Sequence, residues 1–177
     1  MPARRKNLKI GISACLLGKK VRYDGTDKLN STLKRWACSK GIKFIPVCPE
    51  VECGLPVPRE PMILTGNPEA PRVITINTGI DYTSKLKKWI RKKLKALKNE
   101  DISGFIFKSR SPSCGLRSVK IKGYRKKING LFTASIIRAF PGMPVIEDEG
   151  LKSLSSRKRF LNHVKNYQIR KKSSAPD

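Results

Sequence analysis

Three cysteines, Cys15, Cys48 and Cys114, each follow a short apolar run that breaks into a loop. Residues 8–12 run into Ser13-Ala14-Cys15, and residues 44–47 into Cys48-Pro49-Glu50. Residues 104–107 run through Lys108 into Ser109-Arg110-Ser111-Pro112-Ser113-Cys114-Gly115. Three thiolates from separate strands can hold zinc with an open position, hold an iron–sulfur cluster with one iron left free, or act as redox or nucleophilic cysteines. No zinc-ribbon or ferredoxin spacing applies, so these chemistries stay open at the level of the residues. A pure packing role would not account for three loops lined with Pro, Gly and Ser. Cys38, inside a predicted helix, reads as an ordinary packing thiol. His163 is the only histidine and is remote in sequence from every cysteine motif. That argues against Cys-His catalysis and Cys/His zinc sites and leaves acid–base work to carboxylates. Glu50, two residues past Cys48, is the best placed, with Asp24 and Glu52 behind it. The Ser111 and Ser113 hydroxyls flank Cys114, where they can bond a substrate or simply build the turn.

Thiols so far apart in sequence meet only if their strands lie parallel and side by side, with the loops at the carboxyl ends where open α/β sheets place ligands. The chain alternates accordingly. Strands are expected at residues 8–12, 43–47, 72–77, 104–107, 118–122 and 144–146. Helices are expected at 32–40 (capped by Asn30 or Ser31), 84–98 (capped by Asp81 or Thr83), 131–140, and from a Ser155 or Ser156 cap to about Tyr167. The four prolines after Cys48 predict a rigid loop without regular structure. This pattern predicts a three-layer α/β fold with a mostly parallel sheet. Residues 1–7 are expected to form a basic tail, 8–169 one domain, and 170–177 a disordered tail.

The 177 residues suit one domain with a core that needs no disulfides. Lys and Arg number 39 against 13 Asp and Glu, a formal charge of +26. Such a surface favours polyanions such as RNA; a uniformly basic surface without that role is the alternative. Five cysteines are an odd count that fits reduced thiols and a cytoplasmic location. Arg4-Arg5-Lys6 and the following run imitate an export signal, but Lys9 interrupts it. No stretch approaches the ~20 apolar residues of a membrane span.

Three motifs together resemble the thiouracil-desulfurase family. They are Ile12-Ser13-Ala14-Cys15-Leu16-Leu17-Gly18 with Val21-Arg22-Tyr23-Asp24-Gly25; Val47-Cys48-Pro49-Glu50-Val51-Glu52 with Gly54-Leu55-Pro56-Val57-Pro58-Arg59; and Lys108 through Gly115. The likeness spans about residues 8–146. It implies a Rossmann-like domain and an enzyme with a 4Fe-4S cluster on Cys15, Cys48 and Cys114, a cluster that a sample prepared in air can lack. The unligated iron would take the thiocarbonyl sulfur of a thiolated pyrimidine such as 2-thiouracil. Water would replace that sulfur, releasing sulfide without net redox change. The family's catalytic carboxylate falls on Glu50 and its serine on Ser111 or Ser113, with Ser111 favoured. Ser13, Asp24, Arg59 and Lys108 are the expected substrate-binding residues, and Cys53 is expected to be a spare thiol. The partner is a small thiolated nucleobase, with RNA a further candidate through the basic surface. No membrane is expected, and monomer and homodimer stay open. The competing reading is a basic RNA-binding module with a structural Cys-zinc site.

Overall fold

The computed structural model describes residues 8–173. Its strands in chain order are β1 (Leu8–Ser13), β2 (Ile42–Val47), β3 (Met62–Thr65), β4 (Arg72–Thr75), β5 (Phe105–Phe107), β6 (Val119–Lys120), β7 (Lys127–Ile128) and β8 (Val145–Glu147). The helices are α1 (Ser31–Ser39), α2 (Pro49–Glu52), α3 (Thr83–Asn99), α4 (Leu131–Ala139) and α5 (Leu154–Ser173).

The central sheet has the order β2-β1-β5-β8, and every pairing in it is parallel. Period-two alternation sorts the strand side chains between two cores. Phe105 and Phe107 face one side, where they pack with Leu86 and Ile90 of α3 and Phe132 and Ile136 of α4. Ile10, Ile12 and Ile106 face the other, against Leu33 and Trp36 of α1 and Phe160 and Val164 of α5. Helices on both faces of a parallel sheet make the Rossmann-like three-layer sandwich that the alternation predicts. Gly11 lies where the Phe105 ring crosses β1: a Cβ there would stand 2.3 Å from two ring carbons.

Several local expectations need correction. The Pro-rich segment after Cys48 does contain regular structure, the single helical turn α2. Pro49 sits at its first position, where a missing N–H costs nothing, and the Glu52 carboxylate accepts the Cys48 amide at 2.9 Å. The expected strand at 72–77 is the shorter β4, paired antiparallel with β3 in a ribbon of its own. β6 and β7 form a second antiparallel ribbon where a strand and a basic loop were expected. α5 is capped by Ser153, whose hydroxyl accepts the Ser156 amide at 3.1 Å, rather than by Ser155 or Ser156. It runs past Tyr167 to Ser173, so residues 170–173 are helical and not tail. Its last turn carries Arg170, Lys171 and Lys172, cations that favour a helix carboxyl end. Residues 1–7 and 174–177, expected as tails, lie outside the described residues. Among the described residues no helix is long and apolar enough to cross a membrane.

Candidate functional site

β1 and β5 are neighbours, but α1 carries the chain from β1 toward β2, whereas α4 carries it from the β5 side toward β8. A crevice opens where successive connections part in this way, at the carboxyl ends of the strands. Cys15 stands in the 3-10 turn directly after β1, Cys48 is the N-cap of α2, and Cys114 lies on the loop leaving β5. All three line one cavity of about 440 Å³.

Burial pushes all three thiols upward, because a thiolate loses its hydration there. Cys15 is raised from 9.0 to about 11, by burial first and then by the neighbouring Cys48, against the opposing pull of Lys108 and Arg22. Cys48 is raised chiefly by burial. Cys114 is pushed well up by burial, with Cys48, Glu50 and Cys15 adding to it and a hydrogen bond from Ser13 working against it. Reactive redox cysteines show the opposite shift, so this trio is not poised as a free-thiol nucleophile. The thiols repel one another as anions and gain from a shared cation, so binding a metal here releases protons.

Glu50 is buried on the cavity wall and fixed from two sides. Its Oε2 accepts from Arg59 Nη2 at 2.5 Å and Nε at 2.9 Å, and its Oε1 accepts from the Ser113 hydroxyl at 2.9 Å. Arg59 also donates to the carbonyls of Val21 at 3.0 Å and Pro56 at 3.2 Å. One guanidinium therefore ties the Cys48 helix to the loop that follows Cys15.

The Cys114 loop is held by acids from the end of β8. Asp148 accepts the Lys108 ammonium at 2.8 Å and the Ser109 amide at 2.9 Å. Glu147 accepts the Leu116 amide at 2.7 Å and the Ser118 hydroxyl. Glu149 pairs with Arg110 at 3.3 Å. From the other side α4 starts directly on the loop, the Phe132 amide donating to the Ser113 carbonyl at 3.0 Å. Gly130 permits this approach, since a Cβ there would stand 2.5 Å from the Ser113 carbonyl carbon.

Most of the residues singled out in the sequence converge here. Cys15, Cys48, Cys114, Glu50, Ser111, Ser13, Arg59 and Lys108 all line the cavity. Three of them also hold protein partners. Arg59 and Lys108 are committed to Glu50 and Asp148, and the Ser13 hydroxyl accepts the Lys108 amide at 2.9 Å. Ser113 is fully buried behind the wall, its hydroxyl committed to Glu50. The Ser111 oxygen accepts the amides of Ser113 and Cys114 at 3.3 and 3.1 Å, which leaves its O–H available to the cavity.

Asp24 does not reach the cavity. It is exposed, bonds the Thr26 hydroxyl at 2.6 Å and holds Arg22, and the Thr26 bond keeps its carboxyl well below the usual range. Glu52 is likewise a helix cap, tied at 2.8 Å to Lys93. Cys53 lies off the cavity, donating to the Glu50 carbonyl at 3.2 Å, and Cys38 is exposed on α1. Arg22, Tyr23, Lys28 and Met62 also line the wall and were not singled out in the sequence. The one signal for the acids that hold the Cys114 loop was the Glu147-Asp148-Glu149 cluster in an otherwise basic chain.

Among the described residues no three Cys, His, Asp or Glu side chains close on a single metal ion. Sulfurs on one tetrahedral zinc stand roughly 3.8 Å apart, given a Zn–S bond of about 2.3 Å. The three thiols do share a cavity of about 440 Å³, room for more than one ion. That suits a polynuclear group, in which each sulfur takes a metal of its own.

A parallel α/β sandwich with three thiols and a clamped carboxylate at its switch point defines a Rossmann-like domain built around a cysteine-lined cavity. The 2-thiouracil desulfurase family model matches residues 10–148, and the chain belongs to that family. It is 29% identical over 150 residues to the uncharacterized protein YbbK of Bacillus subtilis (strain 168), covering 81% of this chain and 97% of YbbK. Among solved structures, the 4Fe-4S-dependent thiouracil desulfidase TudS matches with a TM-score of 0.70 at 31% identity, over 86% of this chain and 99% of TudS.

Proposed function

We propose that this protein is an iron–sulfur-dependent, non-redox desulfurase that replaces the thiocarbonyl sulfur of a 2-thiouracil-like pyrimidine by oxygen. The observation that carries the reading is the meeting of Cys15, Cys48 and Cys114 in one cavity beside Glu50. These thiols would hold a 4Fe-4S cluster. Bound there, it supplies an iron without a cysteine ligand, a Lewis acid soft enough for sulfur.

The chain's own residues do the rest. Ser111 donates its free O–H to the bound pyrimidine. Glu50 Oε1 accepts from Ser113 through one lone pair and retains another for a proton of the attacking water. Arg59 and Ser113 keep that carboxylate aimed into the cavity. The balance is thiocarbonyl plus water giving carbonyl plus hydrogen sulfide: the C–O bond forms, the C–S bond breaks, and no electrons are exchanged.

The test is anaerobic reconstitution with iron and sulfide. Replacing Cys15, Cys48 or Cys114 by Ser should abolish both the cluster absorption and turnover of 2-thiouracil, with about four irons per chain in the parent. Glu50→Gln should keep the cluster and lose turnover by roughly 100-fold or more, the contribution of a positioned base. A fully active Glu50→Gln protein, or one zinc per chain in place of iron, ends the reading.

A further inference from the structure

We infer that the β6–β7 ribbon is a binding surface for single-stranded nucleic acid, set beside the mouth of the cavity. The ribbon grows directly out of the Cys114 loop. The Gly130 amide donates to the Gly115 carbonyl at 2.8 Å, and the Arg110 amide, on the cavity wall, donates to the Ser118 hydroxyl at 2.9 Å. Ile121 bridges to Leu64 of β3, two residues from Met62, which also lines the cavity. Whatever the ribbon binds therefore lies next to the opening.

Its outer face has the chemistry of a strand-tracking surface. Lys120, Lys122, Arg125, Lys126 and Lys127 are all exposed, and none forms an ion pair among the described residues. No Asp or Glu occurs between Asp101 and Glu147, so nothing within the segment neutralises them. At the ribbon's tip Tyr124 is 51% exposed, flanked by Gly123, around whose Cβ position lies open space. At the cavity mouth a second ring, Tyr23, is 41% exposed and carries the Arg22 guanidinium 5.5 Å from its centroid. Cations interleaved with exposed aromatic rings are what a single strand requires: phosphates for the first, base faces for the second. α3 carries more cations, but its one tryptophan, Trp89, is partly buried and packed on Phe132. A long stripe of charge without stacking platforms is a solvated helix face. A neutral free base has no use for a ribbon of unpaired cations, whereas a thiopyrimidine carried on an RNA strand does. That last step, delivery of such a base to the cavity, rests on the desulfurase reading; the binding surface does not.

The experiment is fluorescence anisotropy of a fluorescein-labelled oligouridylate with the cluster-loaded protein across a salt series, alongside turnover of free 2-thiouracil. Changing Lys120, Lys122, Arg125, Lys126 and Lys127 together to Gln should flatten the log–log salt dependence by up to about 3.5, at about 0.7 per phosphate contact on a single strand. The milder pair Lys126→Gln with Lys127→Gln should flatten it by up to about 1.4. Tyr124→Ala should weaken binding roughly 5- to 150-fold at fixed salt, the range for one lost stacking contact. All three variants should turn over free 2-thiouracil at the parental rate. Absence of oligouridylate binding by the parent at low salt overturns the inference, as does an unchanged salt slope in both lysine variants. So does competition by polyglutamate equal to that by polyuridylate with Tyr124→Ala silent, which would mark a generic basic surface. A parent that binds the strand but acts neither on free 2-thiouracil nor on an oligouridylate carrying 2-thiouridine refutes the desulfurase reading and leaves the ribbon's role standing.

Discussion

Replacing Arg59 by Met strips the Glu50 carboxylate of both guanidinium bonds and takes the guanidinium from the Val21 and Pro56 carbonyls, Val21 keeping only a long contact from the Cys48 thiol at 3.9 Å. Only the Ser113 hydroxyl still serves a carboxylate that is 88% buried by side chain, its exposure being 12%. Breaking one side of a buried ion pair costs about 3–5 kcal/mol, because the surviving charge stays out of water uncompensated. That is a large part of the ~5–15 kcal/mol that holds a typical domain folded. At about 2–4 °C per kcal/mol for a chain of this size, the melting temperature should fall by roughly 6–20 °C. For the reduced, metal-free protein followed by circular dichroism, equilibrium urea unfolding measures the free-energy loss and a thermal scan the fall in melting temperature. Adding Glu50→Gln to Arg59→Met removes the stranded charge, so the double variant should recover at least about 1 kcal/mol over the single one. An Arg59→Met protein within about 1 kcal/mol of the parent would refute the reasoning. A double variant no more stable than the single one would locate the loss in the carbonyl contacts instead.

Two further outcomes follow from the same geometry. In the metal-free protein the raised Cys15 thiol keeps its proton when the unfolded chain has lost it, so stability is intact below pH 9, the ordinary thiol value, and falls as pH rises toward about 11. The two-unit difference amounts to about 2–3 kcal/mol, read from urea midpoints on either side of that window, and Cys15→Ser should shrink the fall. Gly11→Ala drives a methyl into the Phe105 ring at 2.3 Å and should cost about 1–3 kcal/mol of stability; an unchanged urea midpoint would mean the ring moves freely aside.

Residues near in sequence announced themselves, and residues paired across the fold did not. The runs ending at Cys15, Cys48 and Cys114 were readable because a short apolar strand followed by Ser, Pro or Gly is a local pattern, and the three-layer order follows from its repetition. Glu50 was readable from its distance to Cys48. Arg59 as a clamp was not, because its partners are Glu50 and the Val21 carbonyl, and no spacing rule joins them. Asp24 misled for the converse reason: a carboxylate near a cysteine motif looks chemical until its bonds to Thr26 and Arg22 are seen. The strands β3 and β7 are only four and two residues long, too short for alternation to stand out. The extra length of α5 depends on its basic last turn and on the Lys171–Asp101 pair at 2.5 Å, which links it to the turn before β5.

The scattering of the three thiols along the polymer also fixes an order of assembly. A classical zinc-finger segment carries its chelating groups close together and can capture metal while most of a protein is still unmade. Here no partial translation product contains the full set until Cys114 has left the ribosome, and even then the set exists only after β5 has docked beside β1. On the proposed function, cluster loading must therefore follow the docking of β5 on β1, and a lesion that merely delays that docking would surface as a shortage of loaded protein rather than as a shortage of protein.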